Sequence, residues 1–173
     1  MKKIAIVFRD KNKILWKKIS EEIKEIFEES KINCFWKNTL KEKDLEGQKL
    51  VISLGGDGTF LSTSHFVKNQ IMIGVNRNKK KSEGALTSIP IENLKRKLKK
   101  IKEGNFHTKE YTRIKVKIFQ KDKCLLTEYA LNEVYIGNVN PHHTSKYSLK
   151  LNKKEEEQVF ISRNYLFIWK KLR

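Results

Sequence analysis

The chain has 173 residues, of which 38% are hydrophobic and 34% charged, and this balance predicts a globular protein of one domain, or of one domain plus part of a second. No apolar run approaches the roughly 20 residues that a membrane-spanning helix needs. The N-terminus leads from Met1-Lys2-Lys3 straight into a predicted strand, without the features of a signal peptide. We therefore expect a cytoplasmic protein that neither crosses nor binds a membrane.

The formal net charge of +18 is the most unusual feature of the composition. A basic excess of this size can indicate binding to nucleic acid, to an anionic surface or to phosphate-rich substrates. Only six of the 38 basic residues are arginines, and the lysines occur with abundant isoleucine, asparagine and phenylalanine, a mixture that an AT-rich coding sequence produces. No basic segment is interleaved with aromatic residues that could stack on bases. We expect no specific nucleic-acid partner, but a general attraction for polyanionic nucleotides.

The cysteines and histidines predict no protein-ligated metal centre. Cys34 and Cys124 are far apart and belong to no zinc or disulfide pattern, so both are expected to be buried as small hydrophobic residues. His142 and His143 are adjacent, and adjacent residues of a strand point to opposite faces and bind one metal poorly.

Residues 1 to 75 combine short apolar runs with helical patterns. Three- and four-residue spacing of apolar positions predicts one helix over residues 14–27 and a short one after residue 59. The apolar runs predict strands over residues 3–8, 32–36, 49–54 and 71–75. Strands and helices in this order favour a parallel, helix-covered sheet of the Rossmann-like α/β class, in which ligands bind outside the carboxyl ends of the strands.

The strongest candidate site is the segment Gly55-Gly56-Asp57-Gly58-Thr59, which interrupts an apolar run. Three glycines allow the backbone to approach a ligand closely, and the N-terminus of a following helix favours a phosphate. Asp57 is the one carboxylate there, and its role would be to hold a metal, to accept a hydrogen bond from a hydroxyl group or to take its proton. The alternative is that Asp57 only caps the helix, which does not account for three glycines.

The hydrophobic pattern changes its period beyond this α/β region. Residues 76–89 form a polar loop, and a lysine-rich helix with one apolar stripe follows Pro90 and ends at Gly104-Asn105. Extended runs are then predicted at 112–119, 124–136 and 145–151, and a charged turn at Glu155-Glu156-Glu157. The change predicts an α/β nucleotide-binding domain over residues 1–106 and an incomplete, β-rich second domain over residues 107–173.

Three motifs, in the same order along the chain, resemble those of the NAD kinase family. GGDGTFL at residues 55–61 has the signature that this family shares with diacylglycerol and sphingosine kinases. Asn132-Glu133, placed inside a predicted strand, is similar to an asparagine-glutamate motif of the NAD kinases that the lipid kinases do not have. Residues 73–76 with Ser82-Glu83-Gly84 are similar to a third motif, in a form that resembles a branch including the mitochondrial-type NAD kinases. The resemblance covers about residues 3 to 151.

The resemblance implies transfer of a phosphoryl group from ATP, or from inorganic polyphosphate, to the 2′-hydroxyl of the adenosine ribose of NAD, giving NADP, with Mg²⁺ as the divalent cation. It implies that Asp57 accepts or orients the hydroxyl proton, and that Asn132 and Glu133 hold the ribose and the nicotinamide end of NAD. The groups implied around the phosphates are Gly55, Gly56, Gly58 and Thr59, with Asn76 beside the pocket. Because family members are usually homo-oligomers, self-association is expected as well.

Residues 152–173 depart from the family pattern. The family's second domain continues with a glycine-serine-threonine motif that contributes to the nucleotide site, and nothing in this segment matches it. The sequence thus predicts a member truncated at its C-terminus, for instance by a frameshift, in which the second domain is only begun. Three functions stay open at this point: a working NAD kinase, a nucleotide-binding remnant with little or no catalysis and, less favoured, a lipid kinase.

Overall fold

The computed structural model describes residues 3–77, 84–136, 147–151, 154–158 and 166–169. The chain divides into two compact units, with the division between Tyr111 and Thr112. The first unit contains helices and a parallel sheet, and the second contains antiparallel strand pairs. The predicted fold class, a parallel α/β sheet followed by a β-rich segment, is confirmed.

A five-stranded parallel sheet forms the centre of the first unit, with the strand order β2-β1-β3-β4-β5. Every pairing in this sheet is parallel, as expected for strands connected by crossover segments. The strands are β1 Lys3–Phe8, β2 Lys31–Trp36, β3 Leu50–Gly55, β4 Ile71–Asn76 and β5 Ile89–Pro90. The expectation of a loop through residue 89 is corrected, because Ile89 belongs to β5. A strand of two residues is too short to show an alternating hydrophobic pattern in the sequence.

Three α-helices lie in the described part of the first unit: α1 Lys13–Ile26, α2 Asp57–Ser64 and α3 Leu94–Lys102. The Asn12 side chain caps α1 by accepting a hydrogen bond from the N–H of Leu15 at 3.0 Å. Ile14, the first apolar position of the predicted helix, is 84% exposed, whereas its neighbours Leu15 and Trp16 pack against buried residues of the core. None of the described helices has the length and apolar character to cross a membrane.

The two faces of the sheet carry different side chains. Ile6 and Ile52 face α1 and α3, where they pack with Ile23 and Leu98 in the larger cluster of buried residues. The opposite face carries a smaller cluster that includes Val7, Val51 and Leu45. Towards the carboxyl ends of β3 and β4, the same face holds the small residues Ser53, Gly55 and Gly74. These small residues leave room for α2 and for the segment that precedes β5.

The described residues of the second unit form three antiparallel strand pairs: β6 Ile114–Gln120 with β7 Lys123–Ala130, β8 Glu133–Ile136 with β11 Leu166–Trp169, and β9 Tyr147–Leu151 with β10 Lys154–Gln158. The extended run predicted over residues 124–136 is therefore two strands, separated at Leu131 and Asn132. The turn predicted at residues 155–157 is wrong, because these glutamates lie in β10 opposite a strand that carries Lys150. Cys34 and Cys124 are exposed, not buried.

Candidate functional site

The glycine-rich turn lies at the carboxyl end of β3, between the ends of two neighbouring strands. Gly55 is paired with Asn76 at the end of β4, and its carbonyl oxygen accepts a hydrogen bond from the N–H of Arg77 at 3.3 Å. On the other side, the N–H of Arg9 donates to the carbonyl oxygen of Leu54 at 3.2 Å. This is the edge of a parallel sheet at which ligands bind in α/β folds.

Helix α2 starts directly after the turn. Gly56 is the residue that precedes the first helical position, and no side chain caps this end. Its carbonyl oxygen accepts hydrogen bonds from the N–H groups of Thr59 and Phe60 at 2.8 and 3.2 Å. Asp57 is the first residue of the helix, so the interpretation of Asp57 as a helix cap is wrong. Its carboxylate lies at the positive end of the helix dipole.

The Asp57 side chain binds the segment that leads into β5. Its Oδ1 atom accepts hydrogen bonds from the N–H of Leu86 at 3.1 Å, the N–H of Thr87 at 3.0 Å and the hydroxyl of Thr87 at 2.8 Å. Asp57 is half-buried and Thr87 is 1% exposed. Within the described part of the chain, no hydrogen bond reaches the other carboxylate oxygen, Oδ2. The protein thus binds one oxygen of Asp57, and no described residue binds the other.

The two glycines on either side of Asp57 have opposite surroundings. A Cβ atom added to Gly55 would collide with the Thr59 side chain, whose own Cβ would be 2.8 Å away. A Cβ atom added to Gly58 would have no heavy atom within 4 Å. Gly55 is therefore required by packing inside the protein, whereas Gly58 leaves an open face on the first turn of α2. Thr59 is 2% exposed, because it packs against Gly55.

Two further glycines allow the segment before β5 to lie on the sheet. A Cβ atom on Gly74 would collide with the carbonyl oxygen of Leu86 and would lie 2.9 Å from the Cα of Thr87. Gly84 has φ = +72°, a left-handed conformation, and a Cβ atom there would lie 2.8 Å from Nδ2 of Asn76. Asn76 is 3% exposed and so lies beneath this segment. The donors to Asp57 are consequently held against the sheet.

An ion pair flanks the turn. The Arg77 guanidinium, just after β4, contacts the carboxylate of Asp10, just after β1, and both side chains are about half exposed. Because β3 lies between these strands, the pair joins the two ends that neighbour Gly55. Sequence reasoning missed Arg77 and Thr87. The position of Arg77, directly after a strand and its Asn76, could have indicated it, whereas no local pattern distinguishes Thr87.

Asn132 and Glu133 belong to the second unit, and Asp57 to the first. Asn132 is half-buried in the bend between β7 and β8, and Glu133 is the exposed first residue of β8. The expectation that both lie inside one strand is therefore corrected. Ser82 and Glu83 lie outside the described residues. Among the residues that are described, no group of three or more His, Cys, Asp or Glu side chains could hold a metal ion.

Residues 2–106 match the family described as the ATP-NAD kinase N-terminal domain. An NAD kinase of Legionella pneumophila (strain Corby) is 30% identical over 114 residues, which cover 65% of this chain and 38% of that protein. A probable NADH kinase of Oryza sativa subsp. japonica is 31% identical over 117 residues, covering 58% of this chain and 35% of that protein. An NAD kinase of Syntrophobacter fumaroxidans is 34% identical over 90 residues, covering 51% and 31%. The chain therefore spans about a third of the length of these relatives.

Proposed function

Since this chain belongs to the NAD kinase family, we propose that it transfers the terminal phosphoryl group of ATP, or of inorganic polyphosphate, to the 2′-hydroxyl of the adenosine ribose of NAD, giving NADP. The observation that carries the proposal is that the protein binds only one of the two carboxylate oxygens of Asp57 among the described residues. Its Oδ1 is held by the protein and no described residue binds its Oδ2, at the carboxyl end of a parallel sheet and at the start of a helix. A carboxylate oxygen held in this way suits a hydroxyl group that must lose its proton.

The surroundings of Asp57 suit a phosphate chain. Gly58 leaves an open face on the first turn of α2, where the positive end of the helix dipole favours negative charge. We propose that Gly55, Gly56, Gly58 and Thr59 line the phosphate site and that Asn76 lies beside it. In this proposal, Asp57 Oδ2 accepts the proton of the 2′-hydroxyl. The hydroxyl oxygen of NAD attacks the terminal phosphorus of the donor, and the bond from that phosphorus to the leaving phosphate breaks.

A magnesium ion delivered with ATP fits the residues that are present. Mg²⁺ is usually held by one or two carboxylates together with substrate phosphates, so it needs no cluster of protein ligands. In this proposal the substrate phosphates would hold the ion, because Oδ1 of Asp57 is bound by the protein and Oδ2 receives the hydroxyl proton. When bound, the ion would neutralise charge on the phosphates during transfer. For NAD, we propose that Asn132 and Glu133 hold the ribose and the nicotinamide end, as the resemblance implies.

The proposal is tested by incubating the purified chain with NAD, ATP and MgCl₂ and measuring NADP with an NADP-specific dehydrogenase. We expect NADP to form with the wild-type chain, and the rate to fall by about 100-fold or more in Asp57→Asn, which keeps the size of the side chain but removes the base. Asp44→Asn, in the connector before β3 and outside the glycine-rich turn, serves as the matched control and should leave the rate unchanged. An Asp57→Asn variant as active as the wild type would contradict the role of Asp57.

Nucleotide binding without turnover is the second candidate, because the open face of Gly58 at the start of α2 favours a phosphate whether or not phosphoryl transfer follows. Isothermal titration with NAD, in parallel with the assay, separates the two candidates. Binding together with NADP formation supports the kinase, and binding without it supports the second candidate. Absence of both would contradict each of them. A lipid kinase is not proposed, because the matching domain is that of the ATP-NAD kinases.

A further inference from the structure

We propose that Thr87 is a positioning residue for Asp57. Its hydroxyl group and its N–H, together with the N–H of Leu86, hold Oδ1 and leave Oδ2 as the oxygen that faces the substrate. The inference rests on the proposed function, in which Oδ2 receives a proton from the hydroxyl of NAD. It adds a residue from another segment of the chain, 30 positions beyond Asp57, to the machinery of the glycine-rich turn.

The first support is the number of donors on one oxygen. Three donors at 2.8, 3.0 and 3.1 Å reach Oδ1 of Asp57. A carboxylate oxygen has two lone pairs, so an oxygen that accepts three hydrogen bonds is saturated. Hydrogen bonds to an ionised carboxylate are stronger than those between neutral groups, and the shortest of the three comes from the Thr87 hydroxyl. A substrate hydroxyl can therefore bind at Oδ2 and not at Oδ1.

The second support is that the donors cannot move away easily. Leu86 and Thr87 lie directly over Gly74 of β4, with no space for even a Cβ atom between the two backbones. Two residues later Ile89 enters β5, which is paired with Val75 of β4. Thr87 is 1% exposed, so water does not compete for its hydroxyl group. We call the donors of Leu86 and Thr87 to Oδ1 of Asp57 the clamp. The clamp is anchored to the sheet at two places, the contact with Gly74 and the start of β5.

The mechanical consequence concerns rotation of the carboxylate. Without the clamp, rotation about the Cβ–Cγ bond of Asp57 would exchange the two oxygens, and the oxygen that accepts the proton would have no fixed position. With three donors on Oδ1, the rotation would break all three hydrogen bonds at once. The clamp therefore fixes Oδ2 in position before the substrate arrives, and proton transfer depends strongly on such positioning.

Thr87→Val tests the hydroxyl group, because valine keeps the shape of threonine, and Thr87→Ser is the matched control that restores the hydroxyl. We expect kcat for NADP formation to fall by about 10- to 100-fold in Thr87→Val, with the KM values for NAD and ATP within about twofold of the wild type. Thr87→Ser should recover most of the lost kcat. An unchanged kcat in Thr87→Val, or a Thr87→Ser variant as slow as Thr87→Val, would overturn the proposal. A purely structural role would lower the melting temperature and not the kcat of the folded variant.

Amide hydrogen exchange tests the clamp without any reaction. Asp57→Asn retains an oxygen that can accept from Leu86 and Thr87, whereas Asp57→Ala retains none. We expect the exchange of these two amides to become at least about tenfold faster in Asp57→Ala, and to change less in Asp57→Asn. Unchanged exchange in Asp57→Ala would overturn the clamp even if the wild-type chain is active. A wild-type chain that forms no NADP, but shows the expected exchange, would overturn the proposed function and support the clamp, so the two failures are distinguishable.

Discussion

Single atoms decide which residues the glycine-rich turn tolerates. The Thr59 side chain occupies the space that a Cβ atom at position 55 would need, whereas Gly58 faces open space, although both glycines belong to the same motif. A sequence reading treats the two as equivalent sources of backbone freedom. The structure separates a glycine that packing demands from one that packing does not explain.

Alanine at each of these positions gives opposite predictions. Gly55→Ala should lower the free energy of unfolding by about 1–3 kcal/mol, because the new methyl group overlaps Thr59. Gly58→Ala should leave that free energy unchanged or raise it by up to about 1 kcal/mol, because alanine favours the helix. Urea unfolding of both variants measures this difference.

The same pair of variants probes the phosphate site. If phosphate lies on the open face of Gly58, the methyl group of Gly58→Ala should slow NADP formation about tenfold or more, in spite of normal stability. A Gly58→Ala variant that is both stable and fully active would contradict a phosphate at this face.

Ser53 gives another prediction at the level of one atom. Its side chain is fully buried in β3, and its Oγ has no hydrogen-bond partner among the described residues. Since a buried hydroxyl without a partner is destabilising, Ser53→Ala should raise the free energy of unfolding by about 1 kcal/mol. Thr63→Val is the contrasting variant and should lower the free energy of unfolding. The reason is that the Thr63 hydroxyl donates a hydrogen bond to the carbonyl oxygen of Thr59 at 2.8 Å. A Ser53→Ala variant less stable than the wild type would show that the hydroxyl has a partner after all.

Between elements, a salt bridge joins α1 to α3. The Lys95 ammonium donates a hydrogen bond to the Glu25 carboxylate at 2.7 Å, and this bond, with the attraction between the charges, lowers the pKa of Glu25 below its ordinary value of 4.5. The same contact raises the pKa of Lys95 above its ordinary 10.5. Both side chains are at least half exposed, so the pair contributes little to stability.

The pH dependence of this pair has a definite sign. A lowered pKa at Glu25 means stability that is present above about pH 4.5 and is lost as the pH falls through the lowered value. The raised pKa of Lys95 means stability that is present below about pH 10.5 and is lost above it. The difference in melting temperature between the wild type and Glu25→Gln should therefore be constant at neutral pH and vanish in acid. Glu28→Gln, at an exposed position, is the control and should show no such change.

Packing between α3 and the sheet contributes more than this salt bridge. Leu98 is 0% exposed and belongs to the larger buried cluster. Leu98→Ala should lower the free energy of unfolding by about 2–5 kcal/mol, because it leaves a cavity. Lys97→Ala, on the exposed side of the same helix, should change it by less than about 0.5 kcal/mol. Equal effects of the two substitutions in denaturant titrations would contradict the assigned face of α3.

The sequence predicted these elements where one physical signal dominates. The buried strands β1 and β3 are continuous apolar runs, and α1 and α3 have strong helical periodicity, so their approximate bounds were correct. Strand β5 and the break at Asn132 were missed, because pairing with a distant strand determines them. The motif around Asp57 was visible in the sequence. Its partner Thr87 was not, because a contact across 30 positions leaves no local pattern.

At the scale of the whole molecule, the described core is concentrated in the first unit. Its two clusters of buried residues lie between Ile4 and Leu98, and in the second unit Leu131 is the buried hydrophobic residue among those described. The hairpin of β6 and β7 instead exposes large apolar side chains, among them Phe119 and Leu125. The stability of the first unit is therefore expected to come from its own contacts.

A chain that ends at Tyr111 tests this expectation. It should unfold cooperatively with heat, because it retains both buried clusters, and its helical circular dichroism signal should be lost in one step. The full chain is the control. A gradual, non-cooperative loss of signal in the shortened chain would show that the first unit depends on residues beyond 111.

The collisions at Gly55 and Gly74 also constrain the order in which mutations can accumulate during evolution. The three atoms nearest to a Cβ at position 55 all belong to the side chain of Thr59, so a prior Thr59→Gly substitution would remove these collisions. At position 74 the excluding atoms include the backbone of Leu86 and Thr87, which no side-chain substitution removes. Glycine at position 55 can therefore be replaced in two steps, with Thr59 changed first. Glycine at position 74 cannot be replaced as long as the main chain of Leu86 and Thr87 keeps its present course.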